Sequence, residues 1–382
     1  MNKKIMLFSR DPGGANTVAP LYGKLKAKGY DVKLFGKDSA LNKYRQYGLD
    51  GIDIEGVVKV ISQEEINNFL ISEKPDFLIT GTSADDFTEK YLWKAAEKLN
   101  IKSFAILDQW VNYGIRFSAF SVNKLYEYEK NRKHPYLPFK ILVMDEYAKE
   151  QTVKEGIEEN RILVSGQPYF DYLIGKQENF QENTIKAFID SIGCNENEFL
   201  ITFVSEPISN IYNESDNSEH YWGYTERTIF KHFFNVLKNV VEYYKKKVRL
   251  IIRLHPKENE NNYNDIIDLM NSKYISILVD RKIDGFKLMN ASHLICGMSS
   301  MFLIEAAVIG KSILSIQIGL KKDNPFILHN NGIAKSILSV EELNRRLRQI
   351  LIENKNESYT FELKKAAVEN IINYMEAILC QY

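Results

Sequence analysis

The sequence predicts an α/β protein built from two Rossmann-like domains, and three observations carry this prediction. The chain has 382 residues, which is too long for one ordinary core and suggests about two domains. Strand-like and helix-like segments alternate along it, as in βαβ units with parallel sheets. The alternation pauses near residue 175 and restarts near residue 199, so each half forms a series of its own.

The first series predicts a Rossmann-like domain over residues 1–170. Its strand-like runs are KIMLFSR (4–10), DVKLF (31–35), PDFLIT (75–80), SFAIL (103–107), FKILVM (139–144) and RILVSG (161–166). Helices are expected over 15–28, 62–73, 85–99 and a stretch that ends near Gly156. The FLI run at 77–79 is typical of a buried parallel strand.

The second series predicts a Rossmann-like domain over residues 199–357. Its strands are FLITFVS (199–205), VRLIIRL (248–254), ISILVD (275–280), HLICG (293–297) and SILSIQI (312–318), with a long helix over 221–247. Residues 171–198 are polar and are expected to be a linker. The stretch 340–380 is expected to be helical throughout, with a C-terminal helix over 358–382.

Composition excludes several classes of protein. Lys plus Arg and Asp plus Glu are both 50, so the basic excess of a nucleic-acid-binding protein is absent. The three cysteines are scattered without a CxxC pair, which argues against a disulfide framework or a zinc site and fits a reducing compartment. No apolar run approaches the roughly 18 residues of a membrane span. We expect a cytoplasmic protein with no transmembrane segment.

Ligands of parallel α/β sheets bind beyond the carboxyl ends of the strands, so the residues that follow each strand are the candidates. The first strand is followed by DPGGAN, which contains Asp11, Gly13, Gly14 and Asn16. The glycines permit close backbone approach, and the following helix N-terminus presents N–H groups to an anion. The stretch matches neither GxGxxG nor GxxxxGK[ST]. A tight turn with a helix cap is the alternative.

Acidic residues follow two further strands of the first half. Asp85 and Asp86 come after PDFLIT and serve either as helix caps or, for one of them, as a general base. Asp108 comes after SFAIL, and Trp110 and Arg116 lie close behind it. An acid, an aromatic residue and a cation in one loop suggest a binding surface.

The second half carries the stronger anion signals. The strand VRLIIRL is followed by His255 and Lys257 and contains Arg253, a set suited to an anion. The strand HLICG is followed by Ser299 and Ser300 at the start of a helix. Two hydroxyls and free N–H groups there can bind phosphate, and helix capping by one serine is compatible with that role.

The order of these motifs resembles known families. RLHPKE and, about forty residues later, GMSSMFLIEAAVIGKSILSIQ resemble the C-terminal half of GT-B fold glycosyltransferases. They are most similar to bacterial sialyl-, Kdo- and polyol-phosphate transferases of surface polysaccharides. The first half resembles the hydrolysing nucleotide-sugar 2-epimerases, in PDFLITGTSADDFTEKYLWKAAEKLNIKSFAI and in RILVSGQPYFDYL. The resemblance covers most of the chain.

The resemblance implies a fold and a set of roles. Two Rossmann-like domains would face a central cleft, and the last helix would cross back to the first domain. The implied nucleotide-side groups are His255, Ser299 and Ser300 for the phosphate, Glu305 for the ribose hydroxyls, Ser205 and Glu206 beside the nucleotide, and Gly166 and Pro168 in a hinge-side turn.

Departures from the family patterns weigh against an epimerase. Thr82 stands where the epimerases carry an aspartate, and Leu107-Asp108-Gln109-Trp110 replaces their HxxGG. The acidic-acidic-Gly motif of sialyltransferases has its nearest counterparts in Asp85-Asp86 and Asp11-Pro12-Gly13.

Taken with the resemblance, these residues predict a metal-independent glycosyltransferase of bacterial capsule, lipopolysaccharide or glycoconjugate biosynthesis. Its donor would be a UDP-, CMP- or CDP-linked sugar, and its acceptor a glycan, a lipid-linked molecule or a small molecule. Asp11 is the first choice of catalytic base, followed by Asp86 and Asp108. No cofactor and no metal are expected, and the cytoplasm or the inner face of the membrane is the expected location. The alternatives are a nucleotide-sugar 2-epimerase or hydrolase, a CDP-polyol phosphotransferase, and a non-catalytic nucleotide-sugar-binding protein.

Overall fold

A computed structural model describes residues 2–181, 183–212, 214–215, 218–259, 261–269, 272–355, 359 and 365–380. The chain forms two compact units, one of Met1–Tyr172 with Glu362–Tyr382 and one of Leu173–Phe361. Each unit contains a single parallel sheet with helices, so the predicted two-domain α/β architecture is confirmed. No helix within the described ranges is both long and apolar enough to cross a membrane.

The strands are Lys4–Ser9 (β1), Asp31–Gly36 (β2), Ile52–Asp53 (β3), Phe77–Thr80 (β4), Lys102–Ile106 (β5), Lys140–Val143 (β6), Ile162–Val164 (β7), Phe199–Val204 (β8), Val248–Arg253 (β9), Ile275–Asp280 (β10), Leu294–Gly297 (β11) and Ile313–Ser315 (β12). The α-helices are Pro12–Ala27 (α1), Ser39–Gln46 (α2), Gln63–Glu73 (α3), Thr88–Lys98 (α4), Leu125–Asn131 (α5), Glu146–Lys154 (α6), Pro168–Glu178 (α7), Asn183–Ser191 (α8), Ile208–Tyr212 (α9), Glu226–Tyr244 (α10), Asn264–Leu269 (α11), Gly285–Ala291 (α12), Met301–Val308 (α13), Ile327–Asn330 (α14), Val340–Leu351 (α15) and Ala367–Leu379 (α16).

The sheet of the first unit has the strand order β3-β2-β1-β4-β5-β6-β7. Its strands read as continuous apolar runs because both faces are covered, as parallel sheets require. Ile5, Leu7 and Ile79 lie in one buried cluster with residues of α1 and α16. The carboxyl ends of β1, β4 and β5 are neighbours at one edge, and this places the loops after them side by side.

The sheet of the second unit has the order β10-β9-β8-β11-β12. The long amphipathic helix α10 buries Phe230, Phe233 and Leu237 in the same cluster as β8 and β9. The carboxyl ends of β9, β8 and β11 are neighbours, so the residues that follow these three strands share one edge of the sheet.

Each predicted strand is present, but the helix predicted over 340–380 and the linker predicted over 171–198 need correction. The helix expected over 340–380 is interrupted, because α15 ends at Leu351, Asn354 has a φ of +51° and Ala366 a φ of +58° before α16. Of the C-terminal helix expected over 358–382, positions 358, 360–364, 381 and 382 lie outside the described residues.

The expected linker over 171–198 contains most of α7 and all of α8, whose Phe188 and Ile189 pack on the cluster that includes Leu288 of α12.

Two helices also begin later than predicted. The helix expected from Asp85 begins at Thr88, because the hydroxyl of Ser83 accepts from the N–H groups of Asp85 and Asp86 and holds them in a turn. The helix expected from Tyr221 begins at Glu226 behind a capping box.

Candidate functional site

Asp11 ends the loop after β1 and directly precedes α1. Its side chain makes no helix-capping bond and instead pairs with Arg10 at 2.7 Å. Arg10 also binds Asp38 at 2.8 Å, so one guanidinium holds two carboxylates. The side chain of Asp11 is 29% exposed, which leaves it within reach of a ligand.

The two glycines of the opening turn make room for the neighbouring loops of the same unit. A β carbon added at Gly13 would overlap the carboxylate of Asp108. A β carbon on Gly81, after β4, would come within 2.6 Å of the α carbon of Gly14. Asn16 lies one turn further along α1, where its side-chain oxygen accepts from Tyr47 at 3.0 Å. The close approach predicted for Gly13 and Gly14 is therefore used within the protein.

Asp108 lies in a buried ion pair. Its side chain is 5% exposed and meets Arg116, also 5% exposed, at 2.8 Å. The same nitrogen of Arg116 donates to the hydroxyl of Thr82 at 2.8 Å and to its carbonyl at 3.1 Å. Thr82, which replaces the epimerase aspartate, is thus a partner of Arg116. A carboxylate locked to a buried cation is poorly suited to take a proton.

Asp86 is engaged in structural contacts as well. It pairs with Lys37 at 2.9 Å and accepts from the N–H of Thr88 at 2.8 Å at the start of α4. Burial acts to raise the pKa of Asp86, but the bonds from Thr88 and Lys37 outweigh it and hold the pKa below its ordinary value. Of the three carboxylates predicted as bases, Asp11 is the one that is both partly exposed and outside a buried pair.

Glu89, which is not among the predicted site residues, lies directly behind the Asp11 turn. It is fully buried, and one carboxyl oxygen accepts from the backbone N–H of Arg10 at 3.1 Å. The other oxygen has no hydrogen-bond partner within the described part of the chain. Burial and the charges of Asp11 and Asp86 raise the pKa of Glu89 to about 8. The stretch DDFTEK suggests only an acidic helix start, and no periodicity marks this position as buried.

At the shared edge of the second unit, the carboxylate of Glu206 sits on Ser299. One oxygen accepts from the backbone N–H of Ser299 at 2.7 Å, and the other from its hydroxyl at 3.0 Å. Glu206 follows β8 and Ser299 follows β11, and these are adjacent strands. The donors predicted to hold a phosphate therefore hold an internal carboxylate. Burial raises the pKa of Glu206 to about 7, although its bonds to Ser299 and the backbone act to lower it.

Ser300 and Glu305 belong to the helix that follows. Ser300 is the N-cap of α13, and its side chain accepts from the N–H of Phe302 at 3.3 Å. The capping role that the sequence left open is thus observed. Glu305 lies within α13 and is partly exposed.

His255 is held as a neutral hydrogen-bond donor. Its Nδ1 accepts from the N–H of Lys257 at 3.1 Å, which leaves the proton of the neutral ring on Nε2. Burial and the charge of Lys257 lower the pKa of His255 to about 4. Lys257 itself is exposed, whereas Arg253 donates to the carbonyl of Ile283 at 2.7 Å and lies over the ring of Phe302 at 4.9 Å.

Ser205 has a structural role that the sequence did not predict. It is buried, donates to Glu258 at 2.6 Å and pairs with the hydroxyl of Tyr263 at 2.5 Å. Glu258 also accepts from the N–H of His255 at 2.7 Å, so it joins the loops after β8 and β9. The position of Ser205 beside a nucleotide stays a prediction. Glu258 went unnoticed because an acid in the exposed-looking run HPKE gives no signal of burial.

Three aromatic side chains, Tyr212, Trp222 and Tyr224, form a cluster on the side of Glu206. Tyr212 and Trp222 stack with their ring centroids 4.2 Å apart, and Trp222 meets Tyr224 edge-on at 6.0 Å. Burial and then the charge of Glu206 raise the pKa of Tyr212 and of Tyr224, so both phenols lie near this carboxylate. Within the described residues, no group of three or more His, Cys, Asp or Glu side chains is arranged to hold a metal ion.

Comparison with known proteins identifies the fold. No protein-family model matches the chain, and no curated protein matches it in sequence. Among solved structures, the UDP-GlcNAc 2-epimerase of Methanocaldococcus jannaschii is similar, with a TM-score of 0.68 and 18% identity over 98% of this chain and 99% of that chain.

Two further neighbours span the same length. The UDP-GlcNAc 2-epimerase of Neisseria meningitidis, solved with UDP-GlcNAc bound, has a TM-score of 0.64 and 16% identity over 98% of this chain and 100% of that chain. A glycosyltransferase of Rickettsia africae has a TM-score of 0.59 and 14% identity over 100% of this chain and 96% of that chain. The chain therefore has the GT-B-like fold of nucleotide-sugar 2-epimerases.

Proposed function

We propose that this protein is a glycosyltransferase that uses a nucleotide-activated sugar and that its second unit binds the donor. The observation that carries the proposal is the pair of bonds from Ser299 to a carboxylate. An N–H group and a hydroxyl beside a helix N-terminus are the donors that a phosphate oxygen requires. His255 follows β9, which is separated from β11 by β8 alone in the same sheet. It offers its Nε2–H as a third donor.

These groups match the chemistry of transfer. The departing nucleotide carries a developing negative charge, and fixed donors aimed at that charge lower the barrier. Ser299 and His255 would supply neutral donors and Lys257 a positive charge, without any metal ion. Glu305 would accept from the ribose hydroxyls, and Asp11 would take the proton of the acceptor hydroxyl. Arg253 is proposed to support the site through its position over Phe302.

A nucleotide-sugar 2-epimerase or hydrolase is the second candidate, and the fold of the structural neighbours favours it. The interior of the first unit argues against an epimerase, because Thr82 and Asp108, which stand at two positions of the epimerase motifs, both bind Arg116. A role in capsule or lipopolysaccharide synthesis at the inner face of the membrane follows only from the motif resemblance and is part of the proposal.

The test is a product analysis of the purified protein with UDP-, CMP- and CDP-linked sugars, in the presence and absence of glycan and lipid-linked acceptors. Transfer predicts nucleotide release that depends on an acceptor and persists in EDTA. Release of free sugar and nucleotide without an acceptor would instead identify a hydrolase or epimerase. Transfer of a polyol phosphate from a CDP-linked donor would identify a phosphotransferase, and binding without any product would identify a binding protein.

A further inference from the structure

Glu206 occupies the donors that the proposed function assigns to a phosphate. Its two carboxyl oxygens take the N–H and the hydroxyl of Ser299, at 2.7 and 3.0 Å. A carboxylate and one face of a phosphate present the same pair of acceptor oxygens. One Ser299 N–H cannot serve both at full strength, so a bound phosphate must replace the carboxylate.

We propose that Glu206 is an internal substitute for the ligand phosphate, which it must vacate when the nucleotide binds, and that its release is coupled to the uptake of one proton. This inference rests on the proposed function and adds a regulating residue to the same site. The proton comes from solvent and ends on the Glu206 carboxyl group; no covalent bond to the ligand forms or breaks.

The surroundings of Glu206 explain the coupling. Once it leaves Ser299, an ionised Glu206 loses two charge-assisted bonds and lies beside an anionic phosphate, which costs Coulomb energy. A protonated Glu206 makes weaker bonds to Ser299 and does not repel the phosphate. The pKa of about 7 in the free protein means that either form is accessible near neutral pH.

The two phenols beside Glu206 and the imidazole of His255 have pKa values shifted away from neutral. The phenols of Tyr212, on α9, and of Tyr224 have pKa values raised by burial and by Glu206 itself. From the loop between β11 and α13, Glu206 meets the backbone N–H groups of Met298, Ser299 and Ser300 and the hydroxyl of Ser299. His255, at the exit of β9, has its pKa lowered to about 4 by burial and Lys257. Glu226, from α10, is bound by the N–H and the hydroxyl of Ser209 on α9, at 2.9 and 2.6 Å.

The test is the pH dependence of nucleotide-sugar affinity. Isothermal titration calorimetry with UDP-GlcNAc, CMP- and CDP-linked sugars would be run from pH 5.5 to 8.5 on the wild type, Glu206→Gln and the exposed control Glu242→Gln. Nucleotide sugars suit this purpose because their phosphates are diesters that stay ionised throughout the range. The wild type and Glu242→Gln should lose up to about tenfold in nucleotide-sugar affinity per pH unit above pH 7. Glu206→Gln should bind more tightly than the wild type at pH 8, and its affinity should not change with pH.

A second measurement does not depend on the variant. Calorimetry in buffers of different ionisation enthalpy should show that the wild type takes up a fraction of a proton, approaching one, on binding at pH 8. An equal pH slope in Glu206→Gln, weaker binding by that variant at pH 8, or no proton uptake would each overturn the role of Glu206 and leave the proposed function standing. Failure of every nucleotide sugar to bind either protein would overturn the proposed function itself.

Discussion

The carboxylate of Asp108 lies against the α carbon of Gly13, in the space that the β carbon of any other residue would fill. Gly13 is the second residue of α1, where alanine would ordinarily be the better helix former. The glycine is needed because the buried Asp108–Arg116 pair has to pass close to the helix start.

Gly13→Ala should therefore destabilise the protein, by about 1–3 kcal/mol, as expected for forcing atoms into a packed interior. Gly23→Ala is the matched control, since Gly23 lies in the same helix with nothing within 4 Å of an added β carbon. That control should be neutral or stabilising by up to about 1 kcal/mol. Urea unfolding of both variants measures the difference. Equal effects of the two substitutions would show that Asp108 does not depend on Gly13.

Removal of one member of the buried Asp108–Arg116 pair should be costly. Arg116→Met leaves a carboxylate buried without its cation and should lower the free energy of unfolding by about 3–5 kcal/mol. Lys94→Ala removes the exposed Lys94–Glu97 pair of α4 and should cost less than about 1 kcal/mol. Chemical denaturation compares the two. A small loss in Arg116→Met would mean that water reaches Asp108 in solution.

Asp11 should matter for turnover more than for stability. If it takes the acceptor proton, Asp11→Asn should slow transfer by about 10²–10⁴-fold. Asp38→Asn, which removes the other carboxylate bound to Arg10, serves as the control and should leave the rate close to that of the wild type. Initial rates with the best donor and acceptor decide this. Undiminished turnover by Asp11→Asn would exclude Asp11 as the base.

Glu89 should make stability depend on pH. Its pKa is raised by burial, Asp11 and Asp86 from 4.5 to about 8 on folding, so the folded state keeps a proton that the unfolded state has lost. This contribution is fully present below pH 4.5 and disappears as the pH rises through 8. Relative to the wild type, Glu89→Gln should gain stability over that window, by at most about 1.4 kcal/mol per pH unit.

Thermal or urea unfolding from pH 5 to pH 8.5 measures this gain. The exposed Glu129→Gln should track the wild type at every pH. A constant difference between Glu89→Gln and the wild type across the range would show that Glu89 ionises normally in the folded protein.

The sequence predicts the sheets correctly because buried parallel strands appear in it as unbroken apolar runs. It also located the residues after β9 and β11, since HP and SS interrupt those runs at the strand ends. It did not find β3, which pairs through only two exposed residues, Ile52 and Asp53. It overextended the last helix, because propensity does not mark the left-handed positions at Asn354 and Ala366.

The polar interior could not be predicted for a different reason. Glu89 and Glu258 lie in stretches with the composition of exposed segments, and only the fold shows that they are buried. Their partners are distant in sequence; Glu206 and Ser299, for example, are 93 positions apart. The spacing of motifs indicated which residues gather at the strand ends, but not which of them bind one another.

The central claim is that the second unit binds a nucleotide through Ser299 and His255, and a thermal-shift panel tests it most directly. UDP, CMP, CDP and GDP would be added to the wild type and to His255→Ala, with the exposed Lys247→Ala, just before β9, as a control at the other end of the sheet. A ligand that binds only the folded state increases the free energy of unfolding, by about 2.7 kcal/mol at a ligand concentration of a hundred times Kd, and so raises Tm. We predict a selective rise with one nucleotide, retained in the control and reduced in His255→Ala. The absence of a shift with all four nucleotides would contradict the account.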